Sequence, residues 1–221
     1  MNTPPDDTPW HTAHYQWVPP ILLDQLLADG WRHFGHCFFR DQLNSYQGKM
    51  VRVLPLRIRL ADFTFKKSQK KIIKKNSHSR VVIREVCIDA TKHALFHKHK
   101  QRFKDNVPDS LYDFLSPQPA LLPTHMVECC LYEQDELYAV SFLDVGQKAV
   151  SSVYAIFDPT YGALSPGIYT LLVEIQYALK LQKEYLYLGY AHEGASFYDY
   201  KKGFNALEVY DWQGNWQPFK E

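Results

Sequence analysis

Between Met126 and Tyr190 the hydropathy pattern changes its period twice, and that change most narrows the folds open to this chain. MVECCLY, LYAVSFLDV and AVSSVYAIFD read as three strands joined by short turns at Glu133 to Glu136 and at Gly146, an antiparallel meander. The period then becomes helical. Ile168, Leu171, Leu172, Ile175 and Leu179 recur at 3.6-residue spacing, with Ser165 as N-cap and Pro166 at the first helical position. YLYLGY (Tyr185 to Tyr190) is a further buried strand, followed by a short helix through Asp199 to Gly203 and a last strand, LEVYDW. A helix with one apolar face must lie on the sheet these strands form, which predicts a mixed α+β fold.

The first half is less regular. Residues 1 to about 18 read as an irregular arm, and Ile21 to Leu27 as a short helix with Pro19 and Pro20 at its head. VRVLPLRIRL (Val51 to Leu60) alternates as a strand in which Pro55 marks a bulge or an edge. VVIREVCI is another strand, and Thr91 is expected to cap a helix through KHALFHKHKQRF. A loop holding Pro108, Pro117, Pro119 and Pro123 separates this half from the meander, so the expected division is a basic N-terminal subdomain, residues 1–120, and a C-terminal domain, residues 121–221.

The charge is unevenly spread along the chain. Overall 25 Lys and Arg face 24 Asp and Glu, yet from Lys66 to Lys104 there are 13 basic residues and two acids, Glu85 and Asp89. A basic patch on an acidic body points to a polyanion partner. The four cysteines form no C-x-x-C pair, so neither a disulfide scaffold nor a zinc site is expected. His93 and His97 lack a carboxylate to complete a ligand set and read as a basic helix face. The acidic, Pro-rich start and the lack of a long apolar run predict a cytoplasmic protein without a membrane anchor, expected as a monomer.

Several blocks in one order then resemble a known family. SSVYAIFDP, LSPGIYTLLVEIQYA, YLYLGY and FYDYKKGFNALE are similar to the C-terminal domain of arginyl-tRNA-protein transferases and the related bacterial leucyl-transferases. LPLRIRL followed by FKKSQKKIIKKN resembles the N-terminal signature of that family. The resemblance implies a GNAT-like acyltransferase fold and transfer of an amino acid, arginine first and leucine next, from its tRNA to a protein N-terminus. Organic and metal cofactors are not implied. Where family members carry a cysteine cluster, this chain has DQLNSYQGKMVRV, so no redox-regulated cluster is expected. Two other readings remain: a catalytically silent tRNA-binding module, and an acyl-CoA N-acyltransferase, which TYGALSPGIYTL disfavours because it lacks a basic, Gly-rich pyrophosphate loop.

Site residues follow from the resemblance and the strand pattern together. Lys66, Lys67, Lys70, Lys71, Lys74 and Lys75 are expected on acceptor-stem phosphates, with Ser68 and Gln69 bonding the terminal nucleotides. Ser152, Asp158 and Tyr190 are the expected catalytic groups, with Tyr190 orienting the amine or its water. Tyr154, Tyr198, Tyr200, Lys201 and Arg57 are expected around the acceptor, Lys201 or Arg57 facing an acidic N-terminal side chain.

Overall fold

The computed structural model describes residues 9–104 and 106–220. Its strands are β1 (Trp10–His14), β2 (Arg32–Phe34), β3 (Cys37–Asp41), β4 (Leu43–Tyr46), β5 (Lys49–Arg59), β6 (Arg80–Glu85), β7 (Met126–Glu133), β8 (Glu136–Val145), β9 (Ala149–Phe157), β10 (Tyr185–His192), β11 (Leu207–Tyr210) and β12 (Trp216–Pro218). Its α-helices are α1 (Pro20–Ala28), α2 (Lys67–Lys75), α3 (Ala90–Lys100) and α4 (Pro166–Lys180). The fold is mixed α+β, as the sequence pattern predicts. A nine-stranded sheet runs β12-β11-β5-β10-β9-β8-β7-β6, with β4 also paired to β5, and a separate three-stranded sheet runs β1-β3-β2.

The period-2 pattern of the meander decides which face each side chain covers. On β7 and β8, Val127, Cys129, Leu131, Ala139 and Leu143 meet Tyr169 and Val173 of α4. The alternate residues Met126, Cys130, Val140 and Phe142 meet Leu95 and Phe96 of α3. Both faces are therefore covered. Leu171, Leu172 and Ile175 pack on β5 and β10 through Leu56, Ile58, Leu186 and Leu188. Leu179, expected on that apolar face, is 39% exposed, and Ala178 takes the buried position instead.

Helix starts differ from the sequence reading in two places. Asp89, not Thr91, caps α3, its carboxylate accepting from Lys92 N at 2.9 Å. Ser165 precedes α4 with a left-handed backbone (φ 54°) and makes no side-chain cap, while Pro166 does open the helix. Within the region expected to be an irregular arm, β1 pairs with β3.

The boundary expected near residue 120 falls inside one sheet. β5 from the first half lies between β10 and β11 of the second, because its apolar residues supply the middle of the α4 core. Pro55 sits in the interval where one side of β5 has left β4 and not yet met β11, so the missing N–H interrupts no ladder there.

A buried ion pair ties the small sheet to the large one. His33 Nδ1–H donates to Gly35 O at 2.8 Å and Nε2–H to Asp144 Oδ2 at 2.8 Å, while Thr124 Oγ1 donates to the other Asp144 oxygen at 2.6 Å. Burial opposes the imidazolium, but Asp144 outweighs it, so the His33 pKa is raised above 6.5. This contribution is complete below about pH 6.5 and is lost as pH rises through the folded-state value. Asp144→Asn is expected to cost about 3 to 5 kcal/mol in urea unfolding at pH 6, and measurably less at pH 9.

Candidate active site

Two bulges create the site. β9 and β10 pair in parallel only from Ala149 to Ser151 against Tyr185 to Tyr187, and then part. Val153 is the extra residue of β9, falling where Phe142 faces Tyr154 and Leu143 faces Ser152. Leu188 is the extra residue of β10, and Gly189 beside it takes φ +79°, a backbone that favours glycine. Beyond the bulges, Ser152 to Ala155 are half-buried although β9 lies in the middle of the sheet. The parted strands therefore open a cleft.

Lys201 fills its inner end. It comes from the 3-10 turn Asp199–Gly203, and its Nζ donates to Tyr190 O at 3.0 Å, 3.4 Å from the position a Cβ on Gly189 would take. Burial lowers its pKa to about 7, aided by the charge of Arg32 and opposed by Glu174. Glu174, on the sheet-facing side of α4, is 1% exposed, and the Ser141 and Ser152 hydroxyls lie near its carboxyl oxygens without forming well-aligned hydrogen bonds to them. Burial raises its pKa to about 7, opposed by those hydroxyls and by Lys201. A buried carboxyl and a half-buried amine thus both titrate near neutrality, as acid–base chemistry at pH 7 requires.

Arg32 lies on the opposite side of the gap. It is 6% exposed, its guanidinium stands over the rings of Tyr187 (5.0 Å) and Tyr190 (5.6 Å), and its Nε and Nη2 have no partner. Its uncompensated charge helps keep Lys201 near the neutral amine.

The expected site residues divide. Ser152 lies beside Glu174, and Tyr198 and Tyr200 flank Lys201 on the same turn; burial pushes the Tyr200 phenol up to about 12. Tyr154 is turned by the Val153 bulge onto the α3 face, where it stacks on Phe114 with ring centroids 3.7 Å apart. Tyr190 is turned by the Leu188 bulge toward the small sheet, its hydroxyl donating to Gly30 O at 2.8 Å. Its carbonyl, rather than its phenol, meets Lys201.

Asp158 leaves the cleft altogether. It pairs with Lys98 at 2.6 Å and accepts from Thr160 N and Oγ1, which joins the end of β9 to α3. Arg57 is likewise consumed, paired with Glu208 at 2.7 Å and held between Tyr185 (3.9 Å) and Trp216 (4.2 Å). Neither side chain is free to meet an acceptor. Glu174 and Arg32 escaped the sequence reading. A lone Glu within the apolar run LLVEI was the available signal for the first, and nothing local marks the second.

The basic segment is also divided. α2 packs beside α4 through Ile72 and Ile73, whereas α3 covers the other face. Lys66 Nζ donates to Gly203 O at 2.7 Å, and Asn76 Nδ2 donates to Leu164 O at 3.0 Å, so α2 spans from the Lys201 turn to the start of α4. Lys66, Lys67, Lys70, Lys71, Lys74, Lys75 and Ser68 are exposed, and among the described residues none of these lysines pairs with a carboxylate. Gln69 is buried instead, Oε1 accepting from Lys66 N at 2.9 Å to cap α2. Its carbonyl oxygen is thus used within the helix, and the side chain is 5% exposed.

A sheet parted between two parallel strands, with an amine in the gap and a helix covering it, is a GNAT-like fold. The sequence profile described as "Arginine-tRNA-protein transferase, C terminus" matches residues 90–211, and the chain belongs to that family. A protein from Pseudoalteromonas atlantica named aspartate/glutamate leucyltransferase is 30% identical over 189 residues, 82% of this chain and 77% of that one. One of the same name from Campylobacter jejuni strain RM1221 is 27% identical over 196 residues, 86% of this chain and 80% of that one. The crystal structure of FemX shares the fold at a TM-score of 0.50 and 10% identity, covering 84% of this chain, which spans 65% of that one. The chain is thus an aminoacyl-tRNA-protein transferase. No helix among the described residues is long and apolar enough to cross a membrane.

Proposed function

We propose that this protein transfers leucine from leucyl-tRNA to the N-terminal α-amine of proteins that begin with Asp or Glu. The relatives named aspartate/glutamate leucyltransferase favour leucine over arginine, which the sequence blocks placed first. The observation that carries the chemistry is Lys201, an amine with a pKa of about 7 at the parting of β9 and β10.

An aminoacyl-tRNA is already an activated ester, and the acceptor α-ammonium, with a pKa of about 7.7 to 8, must lose a proton before it attacks. Neutral Lys201 takes that proton. The free amine then attacks the ester carbonyl, the carbon–oxygen bond to the terminal ribose breaks, and an amide forms. The second amine proton goes to the departing ribose oxygen, so the net release is one proton. The Lys201 ammonium left by the first transfer stands beside the developing oxyanion. Lys201 faces the substrates because it is half-buried, while Glu174, at 1% exposure, lies behind it and balances its charge. The field of Arg32, a charged group buried beside the gap, favours an acceptor whose first side chain is acidic.

The lysines of α2 hold the acceptor stem. Lys70→Glu with Lys71→Glu is expected to weaken tRNA binding at least tenfold at low salt, and to make the slope of log Kd against log salt shallower by about 2. Filter binding between 50 and 200 mM salt measures both.

The function itself is tested with purified protein, labelled leucyl-tRNA or arginyl-tRNA, and peptides beginning with Asp, Glu, Lys or Phe. Leucine on the Asp and Glu peptides alone is expected. Arginine transfer, or label on the Lys and Phe peptides, refutes the specificity; tRNA bound with no label transferred makes the chain a binding module.

A further inference from the structure

We infer that Arg102, Phe157 and Phe197 form the seat for the 3′-terminal nucleoside of the tRNA, a subsite that rests on the transferase reading above. The reacting ester joins the amino acid to the terminal ribose. With the ester carbonyl at Lys201, that ribose and its base must lie at the mouth of the cleft.

Arg102 stands at that mouth, just past the end of α3. Its guanidinium lies 4.7 Å from the ring centre of Phe157, the last residue of β9, and 4.8 Å from that of Phe197, in the segment after β10. It thus bridges both walls of the gap. Among the described residues no carboxylate pairs with it, whereas Lys98, one turn earlier, is neutralised by Asp158. Burial lowers the Arg102 pKa, and the phenols of Tyr200 and Tyr154 act against that. Tyr200 in turn senses Glu174, so the seat adjoins the reacting centre.

Phe197 is 51% exposed: Tyr198 meets its ring edge-on, centroids 5.9 Å apart, and Arg102 lies against it, but half its surface stays open. A flat cation without an acid partner, beside a half-open ring, matches one kind of partner: a nucleobase stacked on the ring with a phosphate on the guanidinium. An acidic peptide would use the charge and leave the ring uncovered. α2, which packs beside α4 on the sheet face opposite α3, takes the stem, so the two regions give the two contacts that one tRNA end requires.

The test compares two uncharged RNA minihelices, one ending in CCA and one in CC, by fluorescence anisotropy with wild type, Arg102→Ala, Arg102→Lys and Phe197→Ala. Wild type is expected to bind the CCA helix about tenfold more tightly. Arg102→Ala and Phe197→Ala should lose that preference while binding the CC helix as wild type does, since α2 is intact. Arg102→Lys should keep the salt dependence and still lose the preference, because an ammonium does not stack on Phe157 and Phe197 and so no longer holds the Phe197 ring in place for the base. Equal binding of both helices by wild type, or a preference that survives in the alanine variants, overturns the seat and leaves the transferase reading standing. Failure of wild type to bind either helix in a salt-dependent way overturns that reading and the seat with it.

Discussion

Lys201→Ala is expected to lower turnover of aminoacyl-tRNA and acceptor peptide by about 10²- to 10⁴-fold, the usual worth of a positioned general base. Binding of the tRNA should change less than threefold, because the phosphate contacts belong to α2. Lys201→Arg separates two roles for the same atom. If Lys201 served only as a fixed positive charge for the oxyanion, arginine would restore much of the rate; as a base, arginine is charged at every usable pH and restores none. The pH profile carries the same distinction. The active form is the neutral amine, so wild-type turnover at saturating acceptor should climb as pH rises through about 7 and then level off. Single-turnover rates from pH 6 to 9 measure it, and the inflection should be missing in Lys201→Arg.

Glu174→Gln is expected to change how stability depends on pH. Burial raises the Glu174 pKa from 4.5 to about 7, so the folded protein holds that proton more tightly than the unfolded chain does. The sign follows from this. Below about pH 4.5 both states are protonated and no penalty exists; between 4.5 and 7 ionisation of the unfolded chain draws the equilibrium toward unfolding; above 7 the penalty is constant. The stability of wild type relative to Glu174→Gln should therefore fall by about 3 kcal/mol between pH 4.5 and pH 8. Urea unfolding at both pH values measures the difference. Turnover responds through a separate route: loss of the carboxylate removes a charge that favours Lys201 ammonium, so the kinetic inflection should move to lower pH. A structural Glu174 would change stability and leave that inflection in place.

The meander, α4 and the strand after it were legible because alternation and 3.6-residue spacing are direct images of burial on one face. The errors trace to what alternation cannot register. One extra residue at Val153 carries Tyr154 to the α3 face, and one at Leu188 carries Tyr190 to the small sheet. The expected catalytic phenol is thus an anchor, donating to Gly30 O. The same bulges part the strands and admit Lys201, so the feature that misled the pattern also made the site. Lys201 was legible only through its resemblance block, since its altered basicity depends on burial and on Arg32, which is 169 positions away in sequence. Asp158 and Arg57 looked available for chemistry because a sequence does not show ion partners; the structure gives them Lys98 and Glu208. The lysines of α2 are exposed, but their charge does not continue onto α3 as one surface, since the sheet lies between the two helices.

Direct titration of the Lys201 side chain is the most searching measurement. With isotope-labelled lysine and the Lys201→Arg variant to assign the signal, NMR follows the carbon next to Nζ from pH 5 to 11 in the folded protein. A midpoint near 7 is expected, moving upward when Arg32 is replaced by Met. A midpoint at 10 or above would mean an ammonium throughout the working range, and would contradict proton removal by Lys201 at the parting of β9 and β10.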